Sequence, residues 1–227
     1  MNIFTRWLLF ALLICFNDAH AEKKVEVLKQ FVCQVRPTIE GWCSEEKALS
    51  FIDLVLDVKP DVCVEVGVFG GSSLFPVATT LKFLNHGIIV AIDPWDKIEC
   101  LKYLDPLRDQ HHLQWWGMVN MNYIYYSFKE LLQKHGIEKY CQIIRETSEK
   151  AAPMVDTIDI LYLDGNHSEV VSTQDVQLYL PKVRHGGFIW MNDTLWTDRQ
   201  DAIDLLLEAC DVVKLIDNGN CILFKKR

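Results

Sequence analysis

Two hydrophobic periodicities alternate along most of this chain. Short apolar runs at 62–66, 88–92, 140–144, 158–163 and 188–191 have the length and the β-branched content of buried strands. Longer segments between them read as helices, from about Ser72 to Leu84, from the aromatic stretch after Pro94 to Lys134, from His167 to about Leu180, and from Arg199 to Ala209. Two last strands, about 211–216 and 221–225, flank Asp217-Asn218-Gly219-Asn220, a hairpin-turn sequence. Upstream, 22–35 reads as a helix stopped near Pro37. Ser44 caps a second helix with Glu45 and Glu46 in its first turn, and Ala48, Phe51, Ile52, Val55 and Leu56 recur at helical spacing up to about Val58. Repeated strand–helix alternation with fully apolar strands predicts an α/β fold, a parallel sheet covered on both faces, closed by an antiparallel hairpin.

The first 21 residues follow a different pattern. A positively charged start precedes the ten-residue apolar run Trp7–Phe16, and Ala19-His20-Ala21 has the small-x-small form of a cleavage site. The run is too short to span a bilayer as a helix. We expect 1–21 to be a signal peptide and 22–227 a single domain, secreted or periplasmic. If the segment stays on, it is the only membrane contact expected; if the leader reading is wrong, the chain is cytoplasmic. Cleavage leaves seven cysteines without a C-x-x-C, an odd number that makes no complete disulfide framework. Cys33 and Cys43 flank a Pro–Gly turn region and form the candidate pair in an oxidising compartment.

The net charge of −8 argues against a general nucleic-acid partner, and the basic end Lys225-Lys226-Arg227 reads as a solvated tail. Half of the residues are hydrophobic, which excludes a disordered protein. No internal repeat or linker interrupts the chain.

Candidate chemistry collects at strand ends, where open α/β sheets bind ligands. The first strand ends in Val64-Glu65-Val66-Gly67-Val68-Phe69-Gly70-Gly71-Ser72, a strand, a glycine turn and a helix start that bring backbone N–H groups near a ligand. A loop for pyrophosphate gains nothing from Glu65, since like charges repel. The carboxylate points instead to S-adenosylmethionine, whose aminoacyl arm and sulfonium are cationic, with Gly67, Gly71 and Ser72 at the cofactor. Glu65 and the absence of a full G-x-G-x-x-G also disfavour a nicotinamide-dependent oxidoreductase. Asp93 ends the second strand, either accepting the hydroxyls of a ribose or making an Asx turn before Pro94. Glu146 and Thr147 end the third, facing an adenine edge or starting a helix capped by Ser148.

Asp164, Asn192 and Asp193 end the fourth and fifth strands, Asp164 being a candidate cofactor contact as well. Hard oxygen ligands at few positions describe a Mg²⁺-type site that would acidify a bound hydroxyl; capping and turn roles are the other reading. His167, three residues after Asp164, is a candidate general base alongside Asp164, or an ordinary hydrogen-bonding histidine. The aromatic segment 95–126, with His111 and His112, reads as a substrate lid mixed with core packing.

The glycine loop, Ala91-Ile92-Asp93-Pro94-Trp95, Leu161-Tyr162-Leu163-Asp164-Gly165-Asn166-His167 and Leu180 through Asp193 together resemble class I S-adenosylmethionine-dependent methyltransferases, in the group of macrolide O-methyltransferases and cephalosporin-hydroxylase-like proteins. The resemblance covers about residues 45–225. It implies a Rossmann-like, doubly wound seven-stranded sheet, mostly parallel, with a C-terminal antiparallel hairpin. It implies cofactor contacts at Glu65, Gly67 and Asp93, and often Mg²⁺ at Asp164, Asn192 and Asp193. The chain departs from the pattern at Phe69, where many such enzymes have glycine, and at Asn192, where metal-dependent relatives carry a carboxylate. The expected activity is methyl transfer to the oxygen of a small-molecule acceptor. The rival is an exported binding or interaction protein on the same scaffold, without catalysis. The residues leave the acceptor and the oligomeric state open, a homo-oligomer included.

Overall fold

The computed structural model describes residues 21–227, so the expected signal peptide lies outside the described residues except for Ala21. Helix α1 (21–35) buries Leu28 and Val32. Helix α2 (Glu45–Val58) starts where expected, with the Ser44 hydroxyl accepting from the Lys47 N–H at 3.0 Å and two glutamates in the first turn.

Seven strands form one sheet: β1 (Val62–Val66), β2 (Ile88–Ile92), β3 (Cys141–Ile144), β4 (Ile158–Leu163), β5 (Val183–Asn192), β6 (Cys210–Ile216) and β7 (Cys221–Lys226). Their order is β3-β2-β1-β4-β5-β7-β6. The first five run parallel, and β7 pairs antiparallel with both β5 and β6. This is the covered parallel sheet expected from the alternation, in the doubly wound, seven-stranded form that the family resemblance implies. Strand β5 starts earlier than expected, with Gly186 and Gly187 inside it beside an irregular register with β4.

Alternate strand residues build two apolar layers. Cys63, Ile89, Ile160, Tyr162 and Trp190 face α1, α2, helix α3 (Leu74–Leu84) and helix α6 (Met121–His135). Val64, Val66, Val90, Leu161 and Leu163 face helices α8 (Glu169–Tyr179) and α9 (Gln200–Ala209) and the short α7 (Ser148–Ala151). The aromatic segment is not one helix. It divides into α4 (Lys97–Leu101), α5 (Gln110–Met118) and α6, restarted at the Asn120 cap. Only α6 has a deep apolar stripe, Met121, Ile124, Phe128 and Leu132, at helical spacing. Phe128 and Trp95 therefore serve the core, while Tyr123 and Tyr126 stay exposed.

Cys33 and Cys43 are both free thiols, so the candidate pair is not formed in this structure. Among the described residues no helix is long and apolar enough to cross a membrane.

Candidate functional site

Strand order reverses between β1 and β4, because β1 connects outward to β2 on one side and the chain returns to β4 on the other. A crevice at such a switch point is where ligands bind in open α/β sheets. Gly67 sits there at φ +85°, and a Cβ on it would collide with the backbone carbonyl of Asp164. Only glycine lets the ends of β1 and β4 come this close. Gly71, at φ +86°, leaves room for the Phe128 ring. Phe69 adopts φ +50°, the left-handed conformation natural to the glycine it replaces.

Asp93 explains how the loop holds that shape. Its Oδ2 accepts from the Val68 and Phe69 N–H groups at 3.0 and 2.9 Å, and its Oδ1 accepts from the Trp95 N–H at 2.6 Å. The Trp95 indole closes the other side by donating to the Phe69 carbonyl at 2.8 Å. A carboxylate offers about four lone-pair sites, so one on Oδ1 is left for a ligand. The second strand end thus clamps the glycine loop, the Asx turn at Trp95 is real, and the two-handed grip on a ribose is reduced to one lone pair.

Glu65 is buried and takes the Ser73 hydroxyl at 2.5 Å. Burial pushes its carboxyl well above the ordinary carboxylate range, with Asp164 and Asp93 adding to the effect. Ser72 is buried behind the loop, and α3 begins at Leu74 rather than at Ser72. On the neighbouring edge, Thr147, not Ser148, caps α7 by accepting from the Lys150 N–H. Glu146 is half-buried, with Lys150 3.7 Å away. The Asp93 N–H donates to Ile144 at the end of β3, which places Glu146 and Thr147 on the same rim as Asp93.

Asp164, His167 and Asp193 converge on the other side of Gly67, with one ligand-capable atom from each lying within 4.8 Å of the others. His167 Nε2 is 3.3 Å from Asp193 Oδ2 and 4.0 Å from Asp164 Oδ1. Burial pushes Asp164 up to about 7, helped by Asp193 and opposed by Lys47 and Arg199. Burial holds the His167 imidazole well below its ordinary value, so it is neutral at pH 7. Asn192 does not complete the expected oxygen set. Its amide nitrogen faces Asp164 Oδ1 at 2.9 Å, and its oxygen accepts from Lys47 Nζ at 3.0 Å.

Several residues of the site escaped the sequence reading. The Tyr162 hydroxyl donates to Asp164 Oδ2 at 3.0 Å; Asp164 directly follows β4, two residues on from Tyr162, and so continues its face. The buried Arg199 donates to the Gly165 and Asn166 carbonyls and so holds the loop that carries His167. Trp196 packs against both His167 and His112, at 4.8 and 4.9 Å between ring centroids. His112 is thus brought to the rim, while His111 is exposed. Asn166 donates to the carbonyls of Glu99, Cys100 and Lys102, tying the α4 segment to the site. Trp115 and Trp116 of α5 pack with Trp42 around Phe69. Lys47 did leave a signal, a lysine on the apolar face of α2 one turn before Phe51.

The sequence matches the profile of a family described as a methyltransferase domain over residues 64–194, from the first strand to the loop after β5. The chain belongs to this methyltransferase family. No curated protein matches it significantly. Among solved structures, the fold is similar to that of the O-methyltransferase NovP (15% identity, 92% of this chain and 98% of that chain covered, TM-score 0.67). It is also similar to an O-methyltransferase from Bacillus cereus in complex with SAH (10% identity, 88% and 91% covered, TM-score 0.60). A third is the SAH-bound methyltransferase PaMTH1 from Podospora anserina (13% identity, 95% of both chains covered, TM-score 0.58). At these identities the likeness establishes the class I, Rossmann-like methyltransferase fold.

Proposed function

We propose that this methyltransferase uses S-adenosylmethionine to methylate an oxygen of a small-molecule acceptor. The observation that carries the reading is a buried carboxyl, Glu65, beside a glycine turn at the switch point, across Gly67 from the Asp164–His167–Asp193 cluster. The residues fit the cofactor: among the described residues no cation pairs with the Glu65 carboxyl, Asp93 keeps one acceptor site, and Gly67 and Gly71 shape the loop with Ser72 behind it. The similar structures, O-methyltransferases and SAH complexes, agree with this reading. Glu146 and Thr147 on the adjoining rim are the proposed contacts to the adenine end.

Bound there, the cofactor supplies a methyl group on a sulfonium, a good leaving group. The chain must then align the acceptor and take its hydroxyl proton. His167 is neutral and accepts that proton; Asp193, 3.3 Å away, stabilises the imidazolium that forms. Asp164, between Tyr162 and Asn192, orients the acceptor hydroxyl. The expected Mg²⁺ set of Asp164, Asn192 and Asp193 does not fit this arrangement, because Asn192 presents N–H to Asp164, and no step runs through a metal.

The leader reading belongs to the same proposal: cleavage after Ala21 would leave 22–227 as one exported methyltransferase-like domain. Calorimetry on the full chain tests the function. SAM and SAH should bind in the micromolar range, and Glu65→Ala and Asp93→Ala should lose binding. A wild-type chain that binds neither would refute it.

A further inference from the structure

Lys47 lies 145 positions from Asn192, yet its ammonium ends among the strand-end residues. The side chain is 5% exposed. Nζ donates to the Trp42 carbonyl at 2.9 Å and to Asn192 Oδ1 at 3.0 Å, and lies 3.7 Å from Asp217 Oδ2. Asp217 is itself fixed by the Ser44 hydroxyl at 2.7 Å. Two hydrogen bonds and one ion pair thus hold the ammonium, the kind of compensation a buried lysine requires.

An ammonium has no acceptor, so the Asn192 amide has one orientation. Its oxygen must face Lys47, and its nitrogen must face Asp164 Oδ1. Tyr162 donates to the other oxygen of Asp164. Each carboxylate oxygen therefore receives one donor, and the chain of hydrogen bonds runs with a single polarity from Lys47 through Asn192 to Asp164. Asparagine suits this relay and aspartate does not: a carboxylate at 192 would have no N–H for Asp164 and would repel it.

We propose that Lys47 is a resident cation beside Arg199 and the positioning residue of this site, fixing Asp164 through the Asn192 amide and withholding the Asn192 oxygen from any divalent ion. The positioning half rests on Asp164 serving the acceptor side of a methyltransferase; the ion-excluding half does not. Removing the ammonium should lower the repulsion on an ion among Asp164, His167 and Asp193 and free the amide to turn.

The test is Mn²⁺ binding followed by electron paramagnetic resonance on the full chain. Lys47→Met should bind Mn²⁺ about tenfold more tightly than wild type, while Lys47→Arg, which keeps the charge, should stay within about twofold. Asn192→Ala should leave Mn²⁺ affinity unchanged, and it carries the test if Lys47→Met does not fold. Mn²⁺ binding that weakens tenfold in Asn192→Ala, or that is no tighter in a folded Lys47→Met, overturns the proposal. In nitrogen-15-labelled protein, the Asn192 side-chain amide signal, assigned by its loss in Asn192→Ala, should be protected from solvent exchange. Lys47→Met should remove at least tenfold of that protection and Lys47→Arg should restore it; equal protection in all three sinks the positioning role. SAH calorimetry on the same wild-type sample separates the outcomes, since a chain that binds no SAH defeats the methyltransferase reading while the Mn²⁺ series still decides Lys47.

Discussion

Asp93→Ala probes whether the glycine loop stands on its own. In the folded chain one carboxylate serves three backbone N–H groups, at 3.0, 2.9 and 2.6 Å. Val68 and Trp95 are buried, and water reaches their N–H groups only through the space the lost side chain leaves. A buried donor without an acceptor costs about 1–3 kcal/mol, and the lower end applies where water enters, so three donors come to about 3 kcal/mol. Part of this returns if the loop relaxes, because the left-handed Phe69 stores about 1–2 kcal/mol. The expected net loss is about 1–2 kcal/mol. Asp93→Asn should be no milder: it keeps the size but turns an amide N–H₂ toward backbone donors on one side. The assay is urea unfolding followed by circular dichroism, paired with SAH calorimetry. Stability and cofactor affinity should fall together, the affinity by at least about a hundredfold, since the loop is the floor of the site. If Asp93→Ala abolishes SAH binding yet unfolds within about 0.5 kcal/mol of wild type, the carboxylate is only a ligand contact and the clamp argument fails.

Gly67→Ala should cost several kcal/mol or abolish folding, because the new Cβ meets the Asp164 carbonyl at a backbone φ of +85°; a thermal midpoint within a few degrees of wild type would contradict that. The buried Glu65 should make SAM binding tighten as pH rises, because its carboxyl, raised by burial, must release its proton to meet the cofactor's cation. Calorimetry in buffers of different ionisation enthalpy should show that proton leaving, and pH-independent binding without release would argue against the pairing. His167→Ala should lower methyl transfer about a hundredfold with SAH affinity within about twofold, and a parallel loss of affinity would assign His167 to the cofactor instead. Asp164 binds its proton more tightly folded than unfolded, so its contribution to stability falls as pH rises from about 4 to about 7 and stays low above. Asp164→Asn should therefore be more stable than wild type at pH 8, by less than a ceiling of about 4 kcal/mol, while losing activity; a destabilised variant at pH 8 would show that its hydrogen bonds outweigh the burial cost.

The sequence alone determined the parts of this protein that depend on local periodicity. Buried strands follow from short continuous apolar runs and helices from apolar positions at spacings of three to four, so the parallel sheet, its covering on both faces and the closing hairpin were legible. The same alternation carried Glu65, Asp93, Asp164 and Asp193 to one rim, because a parallel sheet aligns its strand ends. Tertiary structure decided what those residues touch. That Asp93 holds the glycine loop depends on Phe69 taking a left-handed conformation against Trp95, in the loop that follows β2. That the aromatic segment breaks into three helices depends on which of its turns find a core to bury against. That Asn192 turns its nitrogen to Asp164 depends on a lysine from the far end of the domain, and a buried charge takes its partners from whatever packs beside it, at any distance along the chain.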